Sequence, residues 1–258
     1  MFKTIFAGVL MLSASNAVAK VVSQAVEYKH GDVVLQGWLA YDDSAKDRRP
    51  GILVVHEWWG CNDFAHKKAE ELAAMGYVAF AIDMYGKGVL TDKPDEAGKL
   101  SGQFKGDPKL MRDRARAGYD VLAKDEHVDA KKIAAIGFCF GGTTVLNMAY
   151  SGLDLVGVVT FHGGLVPPQE ADKQIKAKIL VLHGAEDPFV PAEAVRAFQE
   201  GVSKAGADWR MVSYGGAVHS FTNPDVDRHK LDGAKYNEPA ARRSWHDMQQ
   251  FFNEVFGK

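Results

Sequence analysis

Residues 133–147, IAAIGFCFGGTTVLN, constrain the fold more than any other part of this chain. A short apolar strand over residues 133–136 leads through GFCFGG into a predicted helix. The pattern is typical of a strained strand-to-helix turn, in which glycines flank the central residue because a Cβ would collide with the neighbouring strand and helix. That central residue is Cys139, and a helix N-terminus favours a thiolate. Two interpretations are open: a nucleophile, or a packing turn around a buried, inert cysteine.

Length and charge limit the classes of protein that this chain can belong to. With 258 residues and 47% hydrophobic content, it can bury one large core, and a single domain over residues 20–258 is expected. The formal net charge is −2 and there is no long basic run. The composition therefore predicts no nucleic-acid partner.

Residues 1–19 have the pattern of a secretory signal peptide. Lys3 precedes an apolar run over residues 5–12, and the segment ends in Ala17-Val18-Ala19, an A-x-A cleavage signal. A retained anchor is the alternative, but the apolar run is short for crossing a bilayer. We predict cleavage before Lys20, secretion to the periplasm, and no stable membrane association afterwards.

The rest of the chain alternates apolar runs with amphipathic segments. Residues 21–28 and 33–41 are predicted to form an antiparallel hairpin at a sheet edge. Residues 84–106, rich in Gly, Pro and charges, are predicted to be a surface excursion. Further buried strands are predicted over residues 51–55, 77–82, 133–136, 155–160, 178–182 and 209–214. This alternation predicts an α/β fold with a mostly parallel central sheet flanked by helices on both faces.

Four reactive side chains lie in the segments that follow predicted strands: Glu57, Cys139, Asp187 and His219. In open parallel sheets, sites form beyond the carboxyl ends of the strands, so these residues are expected to meet at one edge. Nucleophile, acid and histidine come in the chain order of α/β-hydrolases, which differs from that of chymotrypsin or subtilisin. The order predicts an α/β-hydrolase fold with a Cys139, Asp187 and His219 triad.

Each triad assignment has a competitor. Asp187 also has the setting of a turn-capping residue, and Glu186 is a neighbouring carboxylate. His162 and His183 also end predicted strands and can be structural histidines. The chain order places the base after the acid, which selects His219.

Glu57 lies between His56 and two tryptophans, and the triad is complete without it. A carboxylate at a buried strand end is costly unless it is paired or functional. The structural alternative is an ion pair with one of three arginines: Arg112, Arg114 or Arg116. The backbone N–H groups of Trp58 and Phe140 are the expected oxyanion-hole donors.

Metal and nucleotide motifs do not fit this sequence. His56, Glu57 and His66 lack the H-E-x-x-H spacing, and two isolated cysteines make no zinc set. The glycine run at residues 137–142 lacks both the G-K-[ST] ending of a phosphate loop and the spacing of a dinucleotide fingerprint. We therefore predict no cofactor and no catalytic metal.

The residues described above resemble the dienelactone hydrolase family of α/β-hydrolases over essentially the whole chain after residue 19. The resemblance rests on Glu57 after the first buried strand and on four segments: GFCFGG at 137–142, DMY at 83–85, HGAEDP at 183–188 and HSF at 219–221. It implies a cysteine-nucleophile hydrolase of the carboxymethylenebutenolidase type, which cleaves a carboxylic ester or lactone through an acyl-enzyme.

The resemblance also implies the role of each site residue. Cys139 would be the nucleophile, His219 the base and acid, Asp187 the orienting carboxylate and Glu57 a gating residue. The resting thiol would stay largely neutral until substrate moves Glu57, which would protect an exported cysteine from oxidation. Three aromatic residues are the expected substrate contacts: Trp59, Tyr85 and Phe221.

One departure from the family affects substrate choice. The family places an arginine shortly after the catalytic histidine to hold a substrate carboxylate, whereas here those positions are Thr222 and Asn223, with Arg228 further on. Ester or lactone cleavage is expected, and an anionic substrate is not implied.

The alternatives are a thioesterase or broad carboxylesterase, a non-catalytic relative that binds a small acid, and an enzyme regulated by a Cys61–Cys139 disulfide. The expected partner is a small-molecule ester or lactone, and the expected state is a monomer, with a dimer as the alternative.

Overall fold

The computed structural model describes residues 20–170, 172 and 175–257, so the predicted signal peptide lies outside the described residues. In the described part, no helix has the length and apolar character needed to cross a membrane. The elements follow in the order β1 (Val21–His30), β2 (Val33–Asp42), β3 (Arg49–Val55), α1 (Asp63–Ala74), β4 (Val78–Ile82), α2 (Pro94–Gly106), α3 (Pro108–Ala123), β5 (Val128–Phe138), α4 (Phe140–Tyr150), β6 (Gly157–Phe161), β7 (Lys178–Gly184), α5 (Ala192–Lys204), β8 (Trp209–Tyr214), a 3₁₀ helix (Val226–His229) and α6 (Glu238–Phe256).

The strands form one sheet in the order β1-β2-β4-β3-β5-β6-β7-β8. β2 pairs antiparallel with both β1 and β4, and all the other neighbouring strands pair in parallel. The predicted hairpin at the sheet edge and the mostly parallel sheet are both confirmed.

Two hydrophobic cores cover the two faces of the sheet. Because side chains alternate along a strand, Leu53 and Val55 of β3 face one core, whereas Ile52 and Val54 face the other. Residues of α2, α3, α4 and α5 complete the first core, and residues of α1 and α6 complete the second. Helices therefore flank both faces, as predicted.

The prediction of a surface excursion over residues 84–106 was wrong for its second half, which forms helix α2. Pro94 stands at the start of α2, with two acidic residues in its first turn, a favourable beginning for a helix. The helix buries Ala97, Ser101 and Phe104, which share one face. Glycines at 98, 102 and 106 obscured this periodicity in the sequence.

Candidate active site

Cys139 occupies a strained turn between β5 and α4. Its backbone has φ 53° and ψ −112°, which is an unfavourable combination for a residue with a Cβ. A Cβ at Gly137 would lie 2.0 Å from the Gly141 carbonyl oxygen, and one at Gly141 would lie 2.2 Å from the Val55 carbonyl oxygen. The turn therefore requires glycine on both sides, and it packs the start of α4 directly against the end of β3.

Two acceptors on the next strand hold the strained turn. The Cys139 N–H lies 3.0 Å from the Phe161 carbonyl oxygen and 3.2 Å from His162 Nδ1. The other ring nitrogen of His162 lies 2.8 Å from Thr222 Oγ1. Since burial also lowers the pKa of His162 well below its ordinary value, this histidine is neutral. His162 thus supports the turn and has no ring nitrogen free for proton transfer.

Asp187 and His219 form a buried pair. His219 Nδ1 lies 2.7 Å from Asp187 Oδ2, and the side chain of Asp187 is fully buried. The second carboxylate oxygen of Asp187 accepts a hydrogen bond from the Phe189 N–H at 2.9 Å. A carboxylate fixed in this way makes Nδ1 the protonated ring nitrogen and leaves Nε2 for the nucleophile.

The charge of His219 is linked to that of Cys139. Burial opposes protonation of the imidazole, but a negative sulfur at Cys139 and hydrogen bonds with Asp187 and Cys139 together raise the pKa of His219 to about 10. Negative charge at the Cys139 sulfur therefore favours the imidazolium form of His219.

Backbone pairing between two loops brings the histidine to the acid. The Ala185 N–H donates to the Tyr214 carbonyl and the Glu186 N–H to the Ala217 carbonyl, each at 3.0 Å. The backbone of His219 is fixed from its other side, where its N–H bonds to Gly233 and its carbonyl to Lys235, each at 3.1 Å. The loops after β7 and β8 thus run side by side beyond the sheet.

Glu57 is held by the loop that carries His219. Ser220 Oγ donates to Glu57 Oε1 at 2.9 Å, and Asn223 Nδ2 donates to Oε2 at 2.6 Å. Burial raises the pKa of Glu57, while these two hydrogen bonds and the nearby His219 counteract the rise. The sequence pattern did not identify Ser220 and Asn223; their closeness to His219 in the chain was the only available signal.

The structural alternative for Glu57, an ion pair with an arginine, is not formed. Arg112 pairs with Asp172, with 2.6 Å between Nη1 and Oδ1. Arg114 donates to a ring nitrogen of His30 and to the Met84 carbonyl, and Arg116 is exposed on α3. Within the described residues, the side-chain hydrogen-bond partners of Glu57 are instead the Ser220 hydroxyl and the Asn223 amide.

The two cysteines lie on opposite faces of the sheet. Cys139 packs against the core that contains α3 and α4, whereas Cys61 is buried in the core that contains α1 and α6. Both thiols are free, and Cys61 Sγ lies 3.6 Å from the Ala81 carbonyl oxygen. This arrangement does not support the disulfide alternative.

A cavity of about 550 Å³ opens at Cys139 and His219. Its walls are mostly apolar and aromatic, and they include Trp58, Trp59, Phe104, Met111, Phe140 and Phe189. Among the predicted substrate contacts, Trp59 lines this cavity. Tyr85 instead donates a hydrogen bond to the Trp58 carbonyl at 3.1 Å, and Phe221 is fully buried beneath His162. Tyr85 and Phe221 therefore support the site from behind and do not form its wall.

Across residues 20–170, 172 and 175–257, no group of three His, Cys, Asp or Glu side chains is arranged to hold a metal ion. The polar groups at the cavity are Cys139, His219, Ser220, Asn147 and Arg112 among others. Of these, Cys139 and His219 are groups suited to nucleophilic and acid–base chemistry.

A model of the dienelactone hydrolase family matches residues 35–256. This chain belongs to the dienelactone hydrolase family. It is 31% identical over 207 residues to a putative carboxymethylenebutenolidase of Aquifex aeolicus, a match that covers 78% of this chain and 88% of the relative.

Solved structures agree with the family assignment. A dienelactone hydrolase-like promiscuous phosphotriesterase from metagenomic libraries is 38% identical, with a TM-score of 0.88 over 91% of this chain and 98% of that one. An alpha/beta hydrolase enzyme from a Medee basin deep-sea metagenome library shares the fold, at 21% identity and a TM-score of 0.67 over 92% of this chain and 99% of that one. The protein has the α/β-hydrolase fold and is a hydrolase that acts on ester bonds.

Proposed function

We propose that this protein cleaves a carboxylic ester or lactone through an acyl-enzyme on Cys139. The observation that carries the proposal is the buried Asp187–His219 pair, which shares one apolar cavity with Cys139 on its strained turn. A nucleophile, a base and a group that orients the base are the parts that acyl transfer needs.

The proposed reaction has two halves. His219 takes the thiol proton, and the sulfur attacks the carbonyl carbon to give an oxyanion that accepts hydrogen bonds from the Trp58 and Phe140 N–H groups. When the oxyanion collapses, the C–O bond breaks and His219 gives the proton to the leaving oxygen. Water, deprotonated by His219, then hydrolyses the thioester and restores the thiol.

Kinetics of Cys139→Ala and Cys139→Ser test the proposal. With p-nitrophenyl acetate as the substrate, we expect Cys139→Ala to lose turnover. Cys139→Ser should keep a small residual rate, because near neutral pH an alcohol is a weaker nucleophile than a thiol. Turnover in Cys139→Ala equal to that of the wild type would overturn the proposal.

Glu57 is proposed to control the charge of the thiol. The Glu57 carboxylate is buried, has a raised pKa and is hydrogen-bonded to the loop that carries His219. It can therefore change its partners when substrate enters the cavity. We expect Glu57→Gln to lower kcat/KM by about 10²-fold, the usual size of one proton-transfer contribution. Glu200→Gln on α5 is the exposed control, and equal activity in both variants would contradict the role of Glu57.

Neutral, apolar esters and lactones are the proposed substrates. The cavity walls are mainly apolar, and Asn223, which stands near the family's arginine position, is buried against Glu57. A panel of neutral lactones, carboxylate-bearing lactones, short-chain esters and thioesters tests this choice. The highest kcat/KM is expected for a neutral oxygen ester or lactone, and a clear preference for thioesters or anionic lactones would contradict it.

Phosphotriester cleavage is a second candidate activity, favoured by the 38% identity to the promiscuous phosphotriesterase. Attack of Cys139 on phosphorus would expel an activated phenolate, and water would then release the phosphodiester. Turnover of diethyl p-nitrophenyl phosphate by the wild type, and its loss in Cys139→Ala, is the expected result.

We also propose export of a monomer after cleavage at residue 19. N-terminal sequencing of protein from a periplasmic fraction is expected to begin at Lys20, and light scattering is expected to give the mass of one chain. A periplasmic protein that begins at Met1, or a cytoplasmic location, would contradict the export.

A further inference from the structure

His56 is a fully buried histidine next to the site that the proposed reaction does not use. It directly follows β3, and both of its ring nitrogens have backbone partners. Nδ1 lies 2.5 Å from the Glu57 carbonyl oxygen, and the Met84 N–H donates to Nε2 at 3.2 Å. The ring also contacts Tyr85 and Phe140, with centroid distances of 4.9 Å and 5.9 Å.

These partners determine which ring nitrogen of His56 carries the proton. Because the Met84 N–H can only donate, Nε2 must accept and Nδ1 carries the hydrogen. The acceptor of that hydrogen is the Glu57 carbonyl oxygen. Burial lowers the pKa of His56, which agrees with a neutral ring.

The Glu57 carbonyl and the Trp58 N–H belong to the same peptide unit. The described residues contain no cis peptide bond, so these two groups point in opposite directions. The carbonyl has a second donor, the Gly60 N–H at 3.4 Å, which closes the turn after β3. Any group that fixes the carbonyl therefore also fixes the direction of the Trp58 N–H.

The preceding peptide, between His56 and Glu57, lies beside the nucleophile turn. A Cβ at Gly141 would lie 2.7 Å from the His56 carbonyl oxygen, so the backbone at His56 touches the first turn of α4. Trp58 and Phe140 both line the cavity at Cys139. A reversed Glu57–Trp58 peptide would replace a donor by a carbonyl oxygen and repel the oxyanion.

We propose that His56 is a positioning residue for the oxyanion hole. Its Nδ1–H holds the Glu57–Trp58 peptide so that the Trp58 N–H is turned towards the reacting carbonyl. The inference rests on the proposed acyl-enzyme reaction. It assigns to His56 a role in stabilising the transition state without contact with the substrate.

A matched pair of variants tests the role. His56→Asn keeps a side-chain N–H close to the position of Nδ1, whereas His56→Leu keeps the bulk without a donor, and both lose the acceptor for Met84. The two reactions to compare are acylation by p-nitrophenyl acetate, which develops an oxyanion, and alkylation by iodoacetamide, which does not. Thermal unfolding checks that both variants are folded.

We expect His56→Leu to lower kcat and the acylation rate by about 10²–10³-fold, the loss seen for one oxyanion donor, with little change in KM. Alkylation should proceed at the wild-type rate, and His56→Asn should recover most of the acylation rate. Unchanged acylation in His56→Leu, a parallel loss of alkylation, failure of His56→Asn to recover, or misfolding of both variants would overturn the role of His56. A wild-type enzyme that is alkylated but never acylated would instead refute the proposed function.

Discussion

Burial and nearby negative charge have opposite effects on the pKa of His219. Burial favours the neutral ring, whereas the sulfur of Cys139 and the carboxylate of Asp187 favour the cation, and together they prevail. The same groups would carry the proton through the proposed reaction. The charge state of His219 therefore reports whether these three side chains act as a unit.

Removing the sulfur should lower the pKa of His219. The folded value of about 10 lies above the ordinary value of 6.5, so protonation of His219 stabilises the fold below about pH 6.5, and this contribution is lost as the pH rises through 10. In Cys139→Ala we expect the imidazole to titrate at a lower pH, followed by NMR of the ring protons. An unchanged titration would show that Cys139 and His219 are not coupled.

Replacing the orienting carboxylate should be costly for activity. In Asp187→Asn, the side-chain amide can donate to Nδ1 of His219 and so favours the wrong tautomer of the imidazole. We expect kcat to fall by about 10³–10⁴-fold, as in comparable triads. Glu186→Gln is the matched control, because Glu186 instead accepts from the Gly216 N–H at 3.0 Å. Steady-state kinetics that showed the larger loss in Glu186→Gln would exchange the two assignments.

Among the elements, the connection from β5 to α4 depends most on glycine. The GFCFGG segment at residues 137–142 predicts this turn from the sequence, because the positions on either side of the central residue have room only for glycine. The distance from Gly141 to the backbone of β3 explains the requirement, since a backbone atom cannot rotate away as a side chain can. The element is thus defined by close packing of strand against helix.

Two glycine substitutions separate packing from helix propensity. Gly141→Ala should destabilise the fold by about 2–3 kcal/mol because its Cβ meets the Val55 carbonyl. Gly102→Ala in α2, where a Cβ has no neighbour within 4 Å, should stabilise it by about 0.5–1 kcal/mol. Urea unfolding measures both, and equal effects would contradict the packing explanation.

Elements with strong periodicity could be predicted, and α2 shows where the prediction failed. Strand β8 forms over the predicted residues because its flanking turns are clear in the sequence. Helix α2 was missed because three glycines weaken its intrinsic propensity, while its stability comes from burying Phe104 against Tyr85 and Phe140. Tertiary packing of this kind is not visible in a local window.

For the whole molecule, the parallel sheet explains why the candidate site could be located from the sequence. Residues at the carboxyl ends of parallel strands meet at one edge, so Cys139, Asp187 and His219 come together although they are far apart in the chain. The partners of Glu57 could not be found in this way. Ser220 and Asn223 reach it through a loop whose path depends on its own turns.

The two faces of the sheet should also keep the two thiols apart. Burial raises the pKa of Cys61 far above its ordinary value, so this thiol should not react in the folded protein. Without reductant, we expect a disulfide-exchange reagent to count one thiol in the native protein and two after denaturation. Fewer than two after denaturation would revive the Cys61–Cys139 disulfide.

Intact-protein mass spectrometry can detect the proposed acyl-enzyme on Cys139. After rapid mixing with p-nitrophenyl acetate and an acid quench, the wild type is predicted to gain the mass of one acetyl group, located on Cys139 by peptide mapping. Cys139→Ala, treated in the same way, is predicted to gain none. An acetyl group on another residue, or full turnover of the ester by Cys139→Ala, would contradict acyl transfer through Cys139.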